Sequence, residues 1–285
     1  MRDVALVTCR QMPEPDPDQD LMLEALAGRG LSAGLAAWND PDVDWSRSRV
    51  AVVRSTWDYY HDRDGFVRWA ERAGAATRLF NPAPVLAWNS DKIYLGELAA
   101  RGLSVVPTVF VERGERRDLG ATMDERGWTK VVVKPRISAG SFETYAFERG
   151  ALRGGELEAR AAERPVMVQP YVRSVDGHGE RSLIWIDGEL THSIRKTPRF
   201  VGASESVSAA LPIDDAERAF AARVAEVVGF AERGLLYARV DAARDEEGRP
   251  MLMELEVVEP SLFLAQSPAA LARFAAAVER RVKVA

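Results

Sequence analysis

Two short segments near the C-terminus constrain the fold more than any other part of the chain. Tyr237-Ala238-Arg239-Val240-Asp241 and Met251-Leu252-Met253-Glu254-Leu255-Glu256-Val257 both read as strands. Side chains on a strand switch faces at every residue, so Glu254 and Glu256 share one face while Met253, Leu255 and Val257 share the other. The link Arg244-Asp245-Glu246-Glu247-Gly248-Arg249 is polar and holds a Gly, which suits a hairpin loop. Folding the hairpin back sets Asp241 opposite Glu254 and brings three carboxylates together at a spacing of about 5–7 Å. Like charges that close repel unless a cation lies between them, which points to a divalent metal. A solvated acidic face is the other reading of the same residues.

The 285-residue chain is long enough for a substantial core and one to three subdomains. Its net charge of −5 argues against a general nucleic-acid or anionic-membrane binder, since both require positive surface. No apolar run approaches the roughly 20 residues that span a bilayer. The opening stretch Met1–Cys9 is too short in its apolar part for a secretory signal and reads as a buried strand. Cytoplasm is the expected location. Cys9 is the only cysteine, so it reads as a small core residue and no thiolate metal cluster is available. Of 38 Lys plus Arg, only Lys92, Lys130, Lys134, Lys196 and Lys283 are Lys. In so Arg-rich a chain, internal lysines stand out as compact point charges suited to phosphate.

Along the chain, residues 1–90 read as a small α/β unit. Strands are expected at Val4–Thr8, Leu35–Trp38 and Val50–Arg54, with helices over Asp20–Gly28, burying Leu21, Leu23, Ala25 and Leu26, and over Phe66–Ala73. Strands alternating with helices indicate a parallel sheet. Asn81-Pro82-Ala83-Pro84 reads as a turn and Asp91–Arg101 as a helix. An extended run follows at Val105–Val111, with strong strands at Lys130–Pro135 and Val166–Val172. Residues 180–257 are strand-rich around a helix near Ala216–Val228, and Pro268–Val284 is an amphipathic helix.

A candidate nucleotide site lies in the middle. The β-branched run ending Val133-Lys134-Pro135 delivers Lys134 to a strand end, followed by Ser138-Ala139-Gly140-Ser141. Small residues let backbone N–H groups approach phosphate closely, and Ser138 and Ser141 add hydroxyl donors. A surface hairpin would look similar, and the order is not that of a P-loop. Gln169-Pro170-Tyr171-Val172 ends a strand whose free backbone groups could pair with an adenine edge; a plain core strand is the alternative. Glu180 could accept a ribose hydroxyl, and Lys92 could reach a second phosphate.

In this order the parts resemble the ATP-grasp superfamily, which includes D-alanine–D-alanine ligases and glutathione synthetases. The resemblance runs from about Asn89 to Ser261. Asn89-Ser90-Asp91-Lys92 and Val133-Lys134-Pro135 look like the two phosphate-binding lysines, Ser138–Ser141 like the loop over the γ-phosphate, Gln169–Val172 like the adenine hinge and Glu180-Arg181 like the ribose side. Asp241, Glu254 and Glu256 fall on the metal positions, with Glu256 standing where the family usually has Asn. Arg54-Ser55-Thr56-Trp57-Asp58-Tyr59, Gly179–Gly188 with His192, Arg195-Lys196-Thr197-Pro198, and Glu256–Phe263 are similar to one subgroup, which contains the cyclo-ligase that closes O-ureido-D-serine to D-cycloserine.

The resemblance implies an α/β (α+β) ATP-grasp fold of three subdomains. These are residues 1–90 for substrate, 91–174 as the central lid unit and 175–285 with the metal site, and ATP lies between the last two. It implies an ADP-forming carbon–nitrogen ligase with ATP and two Mg²⁺ as cofactors. A carboxylate is activated as an acyl phosphate, by intramolecular cyclisation or by joining to a separate amine. Asp241, Glu254 and Glu256 would hold the metal, Lys92 and Lys134 the α/β-phosphates. Arg195 and Lys196 would orient the substrate carboxylate, for which a structural salt bridge at Arg195 is the alternative. Arg54, Ser55, Thr56, Asp58, Glu259 and Ser261 are candidates for an amino-acid substrate, with Asp58 or Glu259 for its ammonium group. Trp57 and Tyr59 read as packing, and His61 and His178 as surface residues. The expected partner is a small amino-acid-like molecule rather than nucleic acid or membrane, and a homodimer is the assembly considered. A nucleotide-binding protein without catalysis would lack the acidic ligands or the phosphate lysines; a metal hydrolase would not need the lysines and hinge.

Overall fold

The structure, a computed structural model, describes residues 1–197 and 206–285. The chain opens with β1 (Arg2–Thr8), α1 (Gln19–Ala27), β2 (Ala33–Ala37), β3 (Ser48–Ser55), α2 (Arg63–Ala76), β4 (Arg78–Phe80) and α3 (Ala83–Asn89). These strands form one sheet in the order β2-β1-β3-β4, parallel throughout. Strict alternation along β1 and β3 covers both faces. Val4, Leu6, Val50 and Val52 pack toward α1 and the C-terminal helix, while Ala5, Val7, Ala51 and Val53 pack toward Phe66 and Trp69 of α2. Helix α1 buries Met22 and Leu26; Leu21 and Leu23, expected in its core face, are half-buried. Cys9 is a buried core residue, as expected. The segment after Asn81, read as a turn, continues into α3 because proline at its N-terminus removes a donor that would be unpaired there anyway.

The middle of the chain supplies α4 (Tyr94–Ala100), β5 (Val109–Val111), α5 (Leu119–Arg126), β6 (Lys130–Pro135), β7 (Tyr145–Glu148), α6 (Glu156–Glu163) and β8 (Val166–Pro170). Its sheet runs β5-β8-β6-β7, antiparallel, with Leu119, Met123, Leu157 and Ala161 of the helices on one face. The extended run expected from Val105 is strand only over β5; Val105 makes an isolated bridge to Leu252 instead.

The rest holds α7 (Ser174–Gly177), β9 (Glu180–Ile186), β10 (Glu189–Lys196), α8 (Asp215–Val228), β11 (Tyr237–Arg244), β12 (Pro250–Glu256) and α9 (Pro268–Lys283). The sheet order is β10-β9-β11-β12. One face packs Leu183, Val240, Leu252 and Leu255 against α8 and α4. The hairpin register pairs Asp241 with Glu254, as the sequence indicates, then passes to Ala242 with Leu252. Met253 is therefore the extra residue of a bulge, and it lines the cavity described below instead of joining Leu255 in the core. Asn81 and Asn89 tie the first unit to this hairpin: Asn81 donates to the carbonyls of Tyr237 and Val257, and Asn89 to that of Leu255. Among the described residues, no helix is long and apolar enough to cross a membrane.

Candidate active site

A cavity of about 370 Å³ opens between the β5-β8-β6-β7 sheet and the polar face of the β10-β9-β11-β12 sheet. Alternation places its groups. Glu180 on β9, Lys196 on β10, Arg239 and Asp241 on β11, and Glu254 and Glu256 on β12 all project from one face. From the opposite sheet come Val132, Lys134, Gln169, Pro170, Tyr171 and Val172.

Asp241, Glu254 and Glu256 are each matched to a cation. Glu254 meets Lys92 Nζ at 3.1 Å and Lys134 Nζ at 3.3 Å. Burial opposes its charge, but Lys92 and then Lys134 hold its carboxyl down to about 2. Asp241 accepts from Lys196 Nζ at 3.0 Å, from Arg239 at 2.8 Å and from the Ser182 hydroxyl at 2.6 Å. Burial works against it too, yet Arg239 and Lys196 keep it ionised well below the usual range. Glu256 pairs with Arg239, but burial pushes it up to about 7 and the guanidinium offsets only part of that. Lys196 also meets Glu180 at 2.5 Å. The three acids therefore do not converge on one point, contrary to the expectation from the hairpin alone. Among the described residues no group of three acidic, His or Cys side chains is posed for a metal ion, because each carboxylate is turned onto Lys or Arg. The donor set still suits Mg²⁺: three carboxylates on one sheet face, hard oxygens throughout.

The loop after β6 is shaped as its small residues suggest. Gly140 and Ser141 adopt left-handed backbone angles, φ 57° and 60°, and open space surrounds Gly140. Ser138 is buried, and its carbonyl accepts from Lys92 Nζ at 2.6 Å. Ser138, Gly140 and Ser141 all line the cavity. Phe142 at the end of the loop lies against Tyr60, with ring centroids 4.8 Å apart, and Arg164 covers its other side at 5.3 Å. This contact joins the loop to the first unit. Removing such a pair forfeits about 0.5–1.5 kcal/mol, so Phe142→Ala should raise KM for ATP about 2- to 10-fold and speed proteolytic cleavage within the loop. An unchanged KM would show that the contact does not hold the loop.

The substrate candidates divide. Glu259 and Ser261 line the cavity. Arg54, Ser55, Thr56 and Asp58 do not: Arg54 is buried, donating to the Pro260 carbonyl at 2.9 Å and lying over the Tyr237 ring. Ser55 bonds to Thr8 at 3.2 Å, and Thr56 is fully buried. Asp58 is taken by Trp38 Nε1 at 2.6 Å and Asn39 Nδ2 at 2.7 Å. Their strand end is packed against the Pro260 segment and away from the cavity. Trp57, read as packing, does line the cavity and donates to the Glu259 carbonyl; Tyr59 packs as expected. Arg195 is exposed on the opposite face from Lys196, a consequence of strand alternation, and its stem lies over Gly179, where a Cβ would come within 2.3 Å. Pro198, the end of the Arg195–Pro198 stretch, lies outside the described residues. Arg239 was missed by sequence reasoning, although its place two residues before Asp241 puts it on the same face.

A family model for the N-terminal domain of D-cycloserine synthetase DcsG matches residues 4–81. The cycloserine biosynthesis protein DcsG of Streptomyces lavendulae is 35% identical over 298 residues, covering 98% of this chain and 99% of that protein. The chain belongs to the D-cycloserine synthetase family. The crystal structure of D-cycloserine synthetase DcsG superposes with a TM-score of 0.86 at 34% identity, over 98% of this chain and 99% of that one. A D-alanine–D-alanine ligase from Bacillus anthracis, 15% identical, gives a TM-score of 0.65 over 100% and 98%, and shows the shared ATP-grasp fold. As a D-cycloserine synthetase family member with that fold, the chain is an ATP-dependent ligase, as the resemblance implies.

Proposed function

We propose that the chain activates the carboxylate of O-ureido-D-serine with ATP and, with water, converts it to D-cycloserine, releasing ADP, phosphate, ammonia and carbon dioxide, in the cytoplasm. The observation that supports this most is the similarity over the whole chain, the first unit included, to a D-cycloserine synthetase. The three-subdomain division at about residues 90 and 174 belongs to the same reading.

In the mechanism, Gln169–Val172 receives the adenine and Glu180 the ribose hydroxyls. Lys92 and Lys134 exchange Glu254 for the phosphates, and the Ser138–Ser141 loop covers the γ-phosphate. Asp241, Glu254 and Glu256 would hold Mg²⁺, two ions in this reading, which would supply charge neutralisation for the phosphates. The carboxylate-orienting role expected of Arg195 passes to Arg239, which lines the cavity and whose planar fork can bind a carboxylate bidentately. Lys196 keeps Asp241 and Glu180 in place. The substrate carboxylate oxygen attacks the γ-phosphorus and ADP leaves. The oxygen-bonded ureido nitrogen attacks the acyl carbon and gives up its proton as phosphate leaves. Water then cleaves the carbamoyl group from the ring nitrogen, releasing ammonia and carbon dioxide.

The test is ADP release from O-ureido-D-serine with no second amine present. ADP formation is expected at once, with D-cycloserine as product. Silence there, with ADP release from a pair of amino acids, would replace cyclisation by intermolecular ligation.

A further inference from the structure

Among the described residues six carboxylates line the cavity. Glu180, Asp241, Glu254 and Glu256 share the four cationic side chains Lys92, Lys134, Lys196 and Arg239, and Glu14 is exposed at the mouth. Glu259 is different. It is 8% exposed, and its carboxylate makes no hydrogen bond or ion pair among the described residues. A buried carboxylate beside Glu254 and Glu256 with no hydrogen-bonded counter-ion is costly, Lys92 and Arg239 acting on it only through space, and its position at the cavity wall opens it to a partner on the ligand. Tyr60, Phe263 and Trp57, whose indole donates to the Glu259 carbonyl, also line the cavity, and aromatic faces favour a cation over a neutral group. Asp58, the other acid considered for this role, is held by Trp38 and Asn39.

We infer that Glu259 binds the primary ammonium group of the substrate and so restricts the enzyme to substrates bearing an amine beside the reacting carboxylate. Resting on the ligase reading above, this names the group that fixes substrate class. The placement agrees with the chemistry. Arg239 donates to the Ser261 carbonyl at 3.3 Å, so the guanidinium assigned to the substrate carboxylate and the Glu259 carboxylate flank the same short segment. An α-amino acid presents its two charged groups at such neighbouring points.

The test compares O-ureido-D-serine with its desamino analogue, 3-(ureidooxy)propanoate, in wild type, Glu259→Gln and Glu259→Asp. Wild type should disfavour the desamino compound about 10²-fold in kcat/KM, because the analogue leaves Glu259 unpaired. Glu259→Gln should raise KM for the amino substrate by about 30-fold, bring the two compounds within about threefold of each other, and leave ADP affinity unchanged. Glu259→Asp should keep the discrimination. Gln is isosteric and removes an unpaired charge, so the thermal midpoint should hold or rise; ADP binding reports an intact fold. Discrimination retained by Glu259→Gln, or a fall in kcat with KM unchanged, would overturn the inference. If wild type is silent on O-ureido-D-serine, the same comparison is run on the amino acid that does release ADP and on its desamino form. Failure of the cyclisation and failure of the Glu259 role then register separately.

Discussion

Lys134→Ala should lower ADP formation by about 10²–10³-fold while the protein stays folded by circular dichroism, the loss expected when one positioned electrostatic group is removed from a reacting phosphate. The side chain is poised for it: Lys134 is the last residue but one of β6, and its ammonium faces Glu254 across the cavity. The fold should not depend on it, since Glu254 retains Lys92. Glu254→Gln should cut ADP formation comparably, by a different route. Losing a metal-type oxygen charge shifts the Mg²⁺ concentration for half-maximal rate upward, whereas Lys134→Ala shifts KM for ATP and leaves the Mg²⁺ dependence in place. The two titrations thus separate the phosphate side from the metal side. Full turnover by either variant would remove the nucleotide from this cavity.

Much of this site was legible in the sequence because it depends on local rules. Period-two alternation and a polar loop were enough to set Asp241 opposite Glu254, and the register agrees. The scarcity of lysine was informative too: Lys92, Lys134 and Lys196 all line the cavity, and Lys130 lies over the Tyr171 ring at 4.0 Å. The parallel first sheet followed from strands alternating with helices. What was not legible depends on long-range packing. Whether Arg54 or Asp58 reaches a ligand is decided by Pro260 and by Trp38 and Asn39, and nothing local to residues 54–58 reveals those contacts. The Met253 bulge is likewise a property of the pair of strands and not of either one. Arg239 is a different case. Its position on the face was readable, but in a chain so rich in arginine its identity drew no attention.

Arg239→Met carries the second large effect, on stability as well as rate. Arg239 is 6% exposed, and its guanidinium joins Asp241 to Glu256, with further contact to the Ser261 carbonyl and the Phe263 ring. Met keeps much of the apolar stem but leaves Glu256 facing Asp241 and Glu254 with no cation of its own. Breaking a buried pair from one side costs about 3 kcal/mol or more, so the thermal midpoint should fall on the order of 10 °C. Arg195→Met, on the exposed face of β10, should change stability by no more than about 0.5 kcal/mol and leave the rate unaltered. Two causes could underlie a rate loss at Arg239, and a second substitution separates them. Adding Glu256→Gln to Arg239→Met removes the orphaned charge, so most of the lost stability should return. If Arg239 holds the substrate carboxylate as well as the sheet, ADP formation in that refolded background stays about 10²-fold or more below that of Glu256→Gln alone, the comparison that sets aside the loss of Glu256 from the metal site. Recovery of rate along with stability would reduce Arg239 to a counter-ion for the acidic strands and return the search for the carboxylate's partner to Lys196.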